Sequence, residues 1–286
     1  MDLERLIAAA RGDIPCDLLL ADAQVINTAT AEIETTDVAI LDGYVVGVGS
    51  GYQARQTVAL GGRYVCPSLI DGHVHLESSH LSLQEYARAV LPHGTGAIVT
   101  DAHEIANVCG LPGIRYLIRC AEHVPLDIFF MVPSCVPATH METAGADLGP
   151  REIEEALSLP GIIGLGEFMN YPGVIFRSPD VLAKLRATEG RLRDGHAPGL
   201  SGKDLASYIA AGIRSDHEST RLAEAQEKLR RGMYVMIREG SSEKNLAELL
   251  PLARGDGNRH FLFVVDDRTC GDILHDGDVD AVVRKA

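Results

Sequence analysis

The chain has 286 residues, enough to bury a full core as one large barrel or as two ordinary domains. Its formal charge of -14, from 26 basic and 40 acidic side chains, argues against a general phosphate-backbone binder, which needs clustered Lys and Arg; the short run Lys228–Arg231 reads as a solvated helix face. At 46% apolar and 23% charged the composition is that of a soluble globular protein, and no apolar run approaches the ~20 residues that a membrane-spanning helix needs.

The first residues, MDLERLIAAARGD, read as a short amphipathic helix and lack the apolar core and cleavage site of a secretory signal. Six cysteines are scattered without a CxxC pair, so reduced thiols in a cytoplasmic protein are the expectation. Residues 17 to 66 alternate short β-like runs (Asp17–Leu20, Gln24–Asn27, Asp37–Ile40, Tyr44–Val48) with turns, among them an Asp42-Gly43 hairpin signal. A small antiparallel sheet is predicted, in an N-terminal domain over 1–66. Glycines 47, 49 and 51 within it read as turn punctuation rather than a nucleotide loop, because no P-loop lysine and no helix pattern follow.

From residue 69 onward apolar runs alternate with helical patterns, as in βα units around a parallel sheet. Predicted strands end near Asp71–His73, Ile98–Asp101, Phe130–Ser134, Ile163–Glu167, Leu192–His196, Ile213–His217, Val235–Glu239 and Phe263–Asp266, with helices over segments such as Leu83–Val90, Arg151–Leu159, Asp204–Ala211 and Thr220–Arg231. Eight such repeats make the fold class α/β, a (β/α)8 TIM-type barrel over 67–286, whose active site belongs at the C-terminal ends of the strands.

The polar residues at those ends carry the functional signal. His73 and His75, two apart on an extended segment, point the same way and can grip one ion. After them come Asp101 and His103, Ser134, Glu167, His196, His217, Glu239, and Asp266 with Asp267. Ionisable groups gathered at one barrel mouth suit a metal site better than a structural role, since they are rarely buried unless paired or metal-bound. Imidazoles and carboxylates suit Zn, Fe, Mn or Co, and the number of donors exceeds what one tetrahedral ion uses, so two divalent ions are expected. Glu167 could bridge them, and Asp266 could take the proton of an activated water. A site of acids and imidazoles points to hydrolysis at a neutral C=N or amide carbon.

The stretches IDGHVHLESSH, AVLPHGTGAIVTDAHEIANV, MVPSCVPATHMETAGA, GIIGLGEFMNYPGVI, DGHAPGLSGKDL, GIRSDHEST, GMYVMIREGSS and VVDDRTCGDIL, in this order, resemble the adenine deaminases of the metal-dependent amidohydrolase superfamily. The resemblance runs from about residue 17 to the last residue. It implies hydrolytic deamination of adenine to hypoxanthine and ammonia, a role in purine salvage and adenine catabolism, a homodimer or larger assembly, and two ions, iron or manganese with zinc a further option. By the same resemblance His73, His75, Glu167, His196, His217 and Asp266 would be ligands, with Asp266 also shuttling a proton. Glu218 and Asp267 are candidate catalytic groups, and Arg238, Glu239, Asp101 and His103 candidates for the substrate side, the last two also as orienters of the ligands or members of the metal set.

The resembling enzymes continue well past the eighth strand. The expectation is therefore a barrel truncated in its last helix beside an incomplete β-sandwich whose edges are open to pairing. Two alternatives accompany it: a truncated, weakly active or inactive remnant serving as a binding or assembly module, and a cyclic-amide hydrolase of the same superfamily. Members of the latter group bridge their metals with a modified lysine on the fourth strand, where this chain offers Glu167 and no lysine nearby.

Overall fold

The computed structural model describes residues 2–254 and 259–286. They form two compact units, Met1–Pro67 and Ser68–Ala286.

In the first unit the helix Leu3–Ala10 begins at Asp2, whose side chain accepts the Arg5 N–H at 3.1 Å and so satisfies an otherwise orphaned first-turn donor. Five strands follow: β1 (Cys16–Asn27), β2 (Glu32–Leu41), β3 (Tyr44–Val48), β4 (Ala54–Ala59) and β5 (Tyr64–Val65). The path runs β3-β2-β1-β4, with β5 also pairing β1. Asp42 and Gly43 both take positive φ, 50° and 81°, which joins β2 to β3 with a twist matching the strands. The sheet is mixed rather than antiparallel: β4 and β5 both run parallel to β1. Sequence reading missed β4 because ARQTVA is exposed at all but its first residue and carries no apolar face to betray a strand. Ala9, Cys16, Leu19, Ala39 and Leu41 form a small core of their own.

Among the described residues the second unit has eight parallel strands: β6 (Leu69–Val74), β7 (Thr95–Asp101), β8 (Asp127–Val132), β9 (Ile162–Phe168), β10 (Leu192–Gly195), β11 (Ser215–Asp216), β12 (Tyr234–Arg238) and β13 (Phe261–Val264). Two arcs, β6 to β10 and β11 to β13, make up the barrel. Between β10 and β11 the Arg214 N–H reaches the Arg193 carbonyl at 3.2 Å. The other seam closes where Val74 bridges Asp266 in parallel: His75 N–H donates to the Asp266 carbonyl (3.0 Å) and Asp266 N–H to the His73 carbonyl (3.1 Å).

Barrel strands are covered on both faces, so they are nearly continuous apolar runs; in β12 every residue after Tyr234 is buried. Ile98, Phe130, Leu165, Val235, Ile237 and Val265 lie within the buried core. Helices fill the outer layer between strands, and two, Cys270–Asp276 and Val279–Lys285, follow β13. Among the described residues no helix is long and apolar enough to cross a membrane.

The helix Leu222–Arg230 departs from expectation in one respect. Arg230 and Arg231 face solvent as a charged helix face should, but Lys228 is fully buried, because with Ala225 three residues earlier it lies on the inward face.

Candidate metal centre

Each barrel strand delivers its last residues to one mouth, and the structure gathers there all six residues expected as ligands. His73, His75 and Asp266 form one group; Glu167, His196 and His217 form a second, the donor atoms of each lying within 4.8 Å of one another. Glu167 lies between the groups: Oε1 is 3.1 Å from His75 Nε2, while Oε2 is 2.6 Å from His196 Nδ1 and 3.2 Å from His217 Nε2. Asp266 Oδ1 is 3.4 Å from His73 Nε2 and 3.3 Å from His75 Nε2.

The backbone explains the convergence. His73 and His75 share a face because side chains alternate along β6. Asp266 takes φ 62°, in the left-handed region that aspartate tolerates better than most residues, two residues after the end of β13. Gly166 precedes Glu167 because a Cβ there would lie 1.9 Å from Asp101 Oδ2, the atom that accepts the Glu167 N–H at 2.8 Å.

Further contacts fix the rings. His73 Nδ1 lies 2.9 Å from Asp194 Oδ2, and His75 Nδ1 lies 2.9 Å from the Asp101 carbonyl, so in both rings Nε2 is turned to the centre. Arg238 Nη1 bridges Asp266 Oδ2 (2.7 Å) and Glu218 Oε1 (2.6 Å), with Nη2 on Glu218 Oε2 at 3.1 Å.

Protonation follows this crowding. Burial alone would raise the Glu167 carboxyl, but the surrounding imidazoles of His103, His196, His217 and His75 outweigh it and hold it well below the usual carboxylate range. Asp266 is likewise lowered against its burial by His73 and His75. Conversely, burial would lower His73 and His75, yet their carboxylate partners, Asp194 and Asp266 for the first and Asp266, Glu104 and Glu167 for the second, raise both well above the ordinary imidazole value.

The residues fit divalent metal. His73 Nε2, His103 Nδ1 and Glu167 Oε1 are buried without a hydrogen-bond partner among the described residues, although each lies within 3.1–3.4 Å of a possible one. Such atoms crowd together without aligning N–H on oxygen, an arrangement costly for hydrogen bonding and suited to lone pairs directed at a cation.

His103, at the start of the helix His103–Cys109, sits closer to the centre than expected of a substrate-side group: its Nδ1 is 3.1 Å from Glu167 Oε1 and joins His75 in a third donor cluster. Glu218, Arg238, Asp266 and Asp267 line the cavity of 330 Å³ over the centre. Asp267 accepts a hydrogen bond from the Ser78 hydroxyl. Two residues expected on the substrate side lie elsewhere. Asp101 is buried behind Glu167 and holds that residue's backbone. Glu239 follows Arg238 in an extended segment, so it points to the opposite side and pairs with Lys285.

Sequence reading passed over Asp194, Glu104, Met169 and Glu243. Period two could have found Asp194, on the same face as His196, and Met169, on the same face as Glu167. Glu104 and Glu243 stand on a helix turn and a loop, where no such period applies; Glu104 lies 3.6 Å from His75 Nδ1 and 3.4 Å from His103 Nε2.

Comparison with known proteins gives the family and the fold. The amidohydrolase family profile matches residues 64–264. Adenine deaminase of Dehalococcoides mccartyi (strain CBDB1) is 57% identical over 285 residues, covering 100% of this chain and 50% of the relative. Adenine deaminase 2 of Carboxydothermus hydrogenoformans is 50% identical, covering 99% and 50%. The chain thus spans about half the length of these curated relatives. Among solved structures, a β-aspartyl dipeptidase from Fervidobacterium islandicum AW-1 superposes with a TM-score of 0.64 at 15% identity, covering 94% of this chain and 80% of that one. A dihydroorotase gives 0.56 at 14% identity, covering 93% and 81%, a likeness of fold. The eight-stranded barrel, the histidines and carboxylates at its mouth and the matched profile together make this chain a member of the amidohydrolase family.

Proposed function

We propose that the barrel is the catalytic part of an adenine deaminase, converting adenine to hypoxanthine and ammonia at a centre holding two divalent ions, iron or manganese. The observation that carries this reading is the double donor set in a chain 57% identical over 285 residues to half of a protein named adenine deaminase.

His73, His75 and Asp266 would hold one ion and His196 and His217 the other, with Glu167 serving both. Divalent ions there would act as Lewis acids that bring the ionisation of water near neutrality. Asp266 Oδ1 faces the histidines while Oδ2 is held by Arg238, so the carboxylate is fixed to take a proton from the attacking water and return it to the departing amine nitrogen. Arg238 also clamps Glu218 beside His196 and His217, where it can exchange a proton with a ring nitrogen of the purine. Asp267 offers an acceptor to the purine edge, and Met169 an apolar surface to its ring. The cavity's 330 Å³ lies at the small end of ligand clefts, ~300–1,000 Å³, as a single base requires.

The test is ammonia release from adenine by the purified chain loaded anaerobically with Fe(II) or Mn(II), with metal content measured on the same sample. Turnover with two ions per chain supports the proposal. Two ions without turnover on adenine, but with turnover on a cyclic amide, would replace the substrate assignment.

A further inference from the structure

We infer that Lys228 is a positioning residue for the second ion: from the inward face of the helix Leu222–Arg230 it locks together the two loops that carry His196 and His217. The inference rests on the two-ion reading of the centre.

Lys228 is completely buried, and so is its partner Asp216. Burying an ammonium is costly unless every proton on it is bonded. Lys228 Nζ meets four oxygens: the Ala197 carbonyl at 2.8 Å, Asp216 Oδ2 at 2.8 Å, Ser219 Oγ at 3.0 Å and Glu224 Oε1 at 2.8 Å.

The position of these partners gives the ion pair its meaning. Ala197 follows His196, and Asp216 precedes His217. Asp216 Oδ1 accepts the Ala197 N–H at 2.8 Å, so the two ligand-bearing loops are bonded to each other as well as to the lysine. The same helix adds Glu224 to the Gly199 N–H (2.8 Å) and Glu227 to the Gly202 N–H (2.9 Å), tying down the rest of the loop after β10. Within the first ligand group, His73 is oriented by Asp194, His75 by the Asp101 carbonyl and Asp266 by Arg238, none of which is bonded to Lys228, whose four partners are Ala197, Asp216, Ser219 and Glu224. Loss of the lysine should therefore loosen one ion and spare the other.

The experiment titrates Mn(II) into metal-depleted wild-type and Lys228→Met protein, reading affinity by equilibrium dialysis and metal pairing by electron paramagnetic resonance. Removing such an outer contact should weaken the second ion by about tenfold or more while leaving the first within about twofold, and the spin-coupled pair should give way to an isolated Mn(II) signal. Wild-type affinity for both ions, or equal loss of both, overturns the inference. Should circular dichroism show Lys228→Met to be unfolded, Ser219→Ala decides: it removes one hydroxyl and keeps the ion pair. A few-fold selective loss of the second ion in that variant supports the positioning role, and no change, or the same change at both ions, refutes it. Wild-type protein that takes up fewer than two ions overturns the two-ion reading itself, and this inference with it.

Discussion

Replacing Gly166 with alanine should damage the centre without touching any ligand. The added Cβ would sit 1.9 Å from Asp101 Oδ2 and 2.5 Å from its Cγ, far inside contact distance, and Asp101 is buried with nowhere to retreat. Its carboxylate must swing off the Glu167 N–H that it now holds at 2.8 Å. Losing a hydrogen bond to a charged, buried acceptor costs about 1.5–3 kcal/mol, and overpacking a close-packed interior adds about 1–3 kcal/mol. A total of about 2.5–6 kcal/mol should lower the melting temperature by roughly 5–24 °C for a unit of this size. Because the displaced amide belongs to the carboxylate shared by both ligand groups, affinity for both ions should fall by about tenfold or more. Gly271→Ala is the control, with only Thr269 Oγ1 at 3.8 Å from the new methyl. Thermal unfolding and metal titration of the two variants give the answer. A Gly166→Ala protein that matches the control in melting temperature and binds metal normally would refute the proposed coupling between Asp101 and Glu167.

Three other outcomes follow from the same geometry. His73→Ala should abolish ammonia release and lose an ion, whereas His123→Ala, on an exposed site, should leave both metal content and activity unchanged. Burial would lower His103, but its contact with Glu167 outweighs this and raises it from 6.5 to about 8. Being raised, it stabilises the metal-depleted protein fully below pH 6.5, and that contribution, about 2 kcal/mol, is lost as pH rises through about 8; denaturation curves of wild type and His103→Gln should converge across that window. Ile237→Ala, in a fully buried strand position, should cost about 2–5 kcal/mol by cavity formation, read as a lower denaturation midpoint at unchanged slope.

The barrel was legible in the sequence because each strand is a short apolar run ending in polar residues, and period two then places those residues on one face or the other. His73 and His75 are the clearest case, and the same rule would have yielded Asp194 from His196. Where the signal depends on partners distant in sequence, local pattern fails. β4 offers no apolar face, and its strand character comes only from pairing with β1. Lys228 looks like one more surface charge until Asp216 is placed against it. Glu239 shows that nearness to a site residue is insufficient: alternation sends neighbouring side chains to opposite sides.

The seam between β6 and β13 also bears on how the protein matures. His73 and Asp266, which stand together in one ligand group, come from the first and last strands of the ring and meet through backbone bonds between those strands. A chain made only as far as β12 therefore holds His73 and His75 without the aspartate that completes their group. The long loop that must close before these contacts form makes this a late, slow event in folding. Metal bound at the proposed centre would then act as a checkpoint: its capture by His73, His75 and Asp266 would signal that the first and last strands have met, and by mass action it would hold the ring shut.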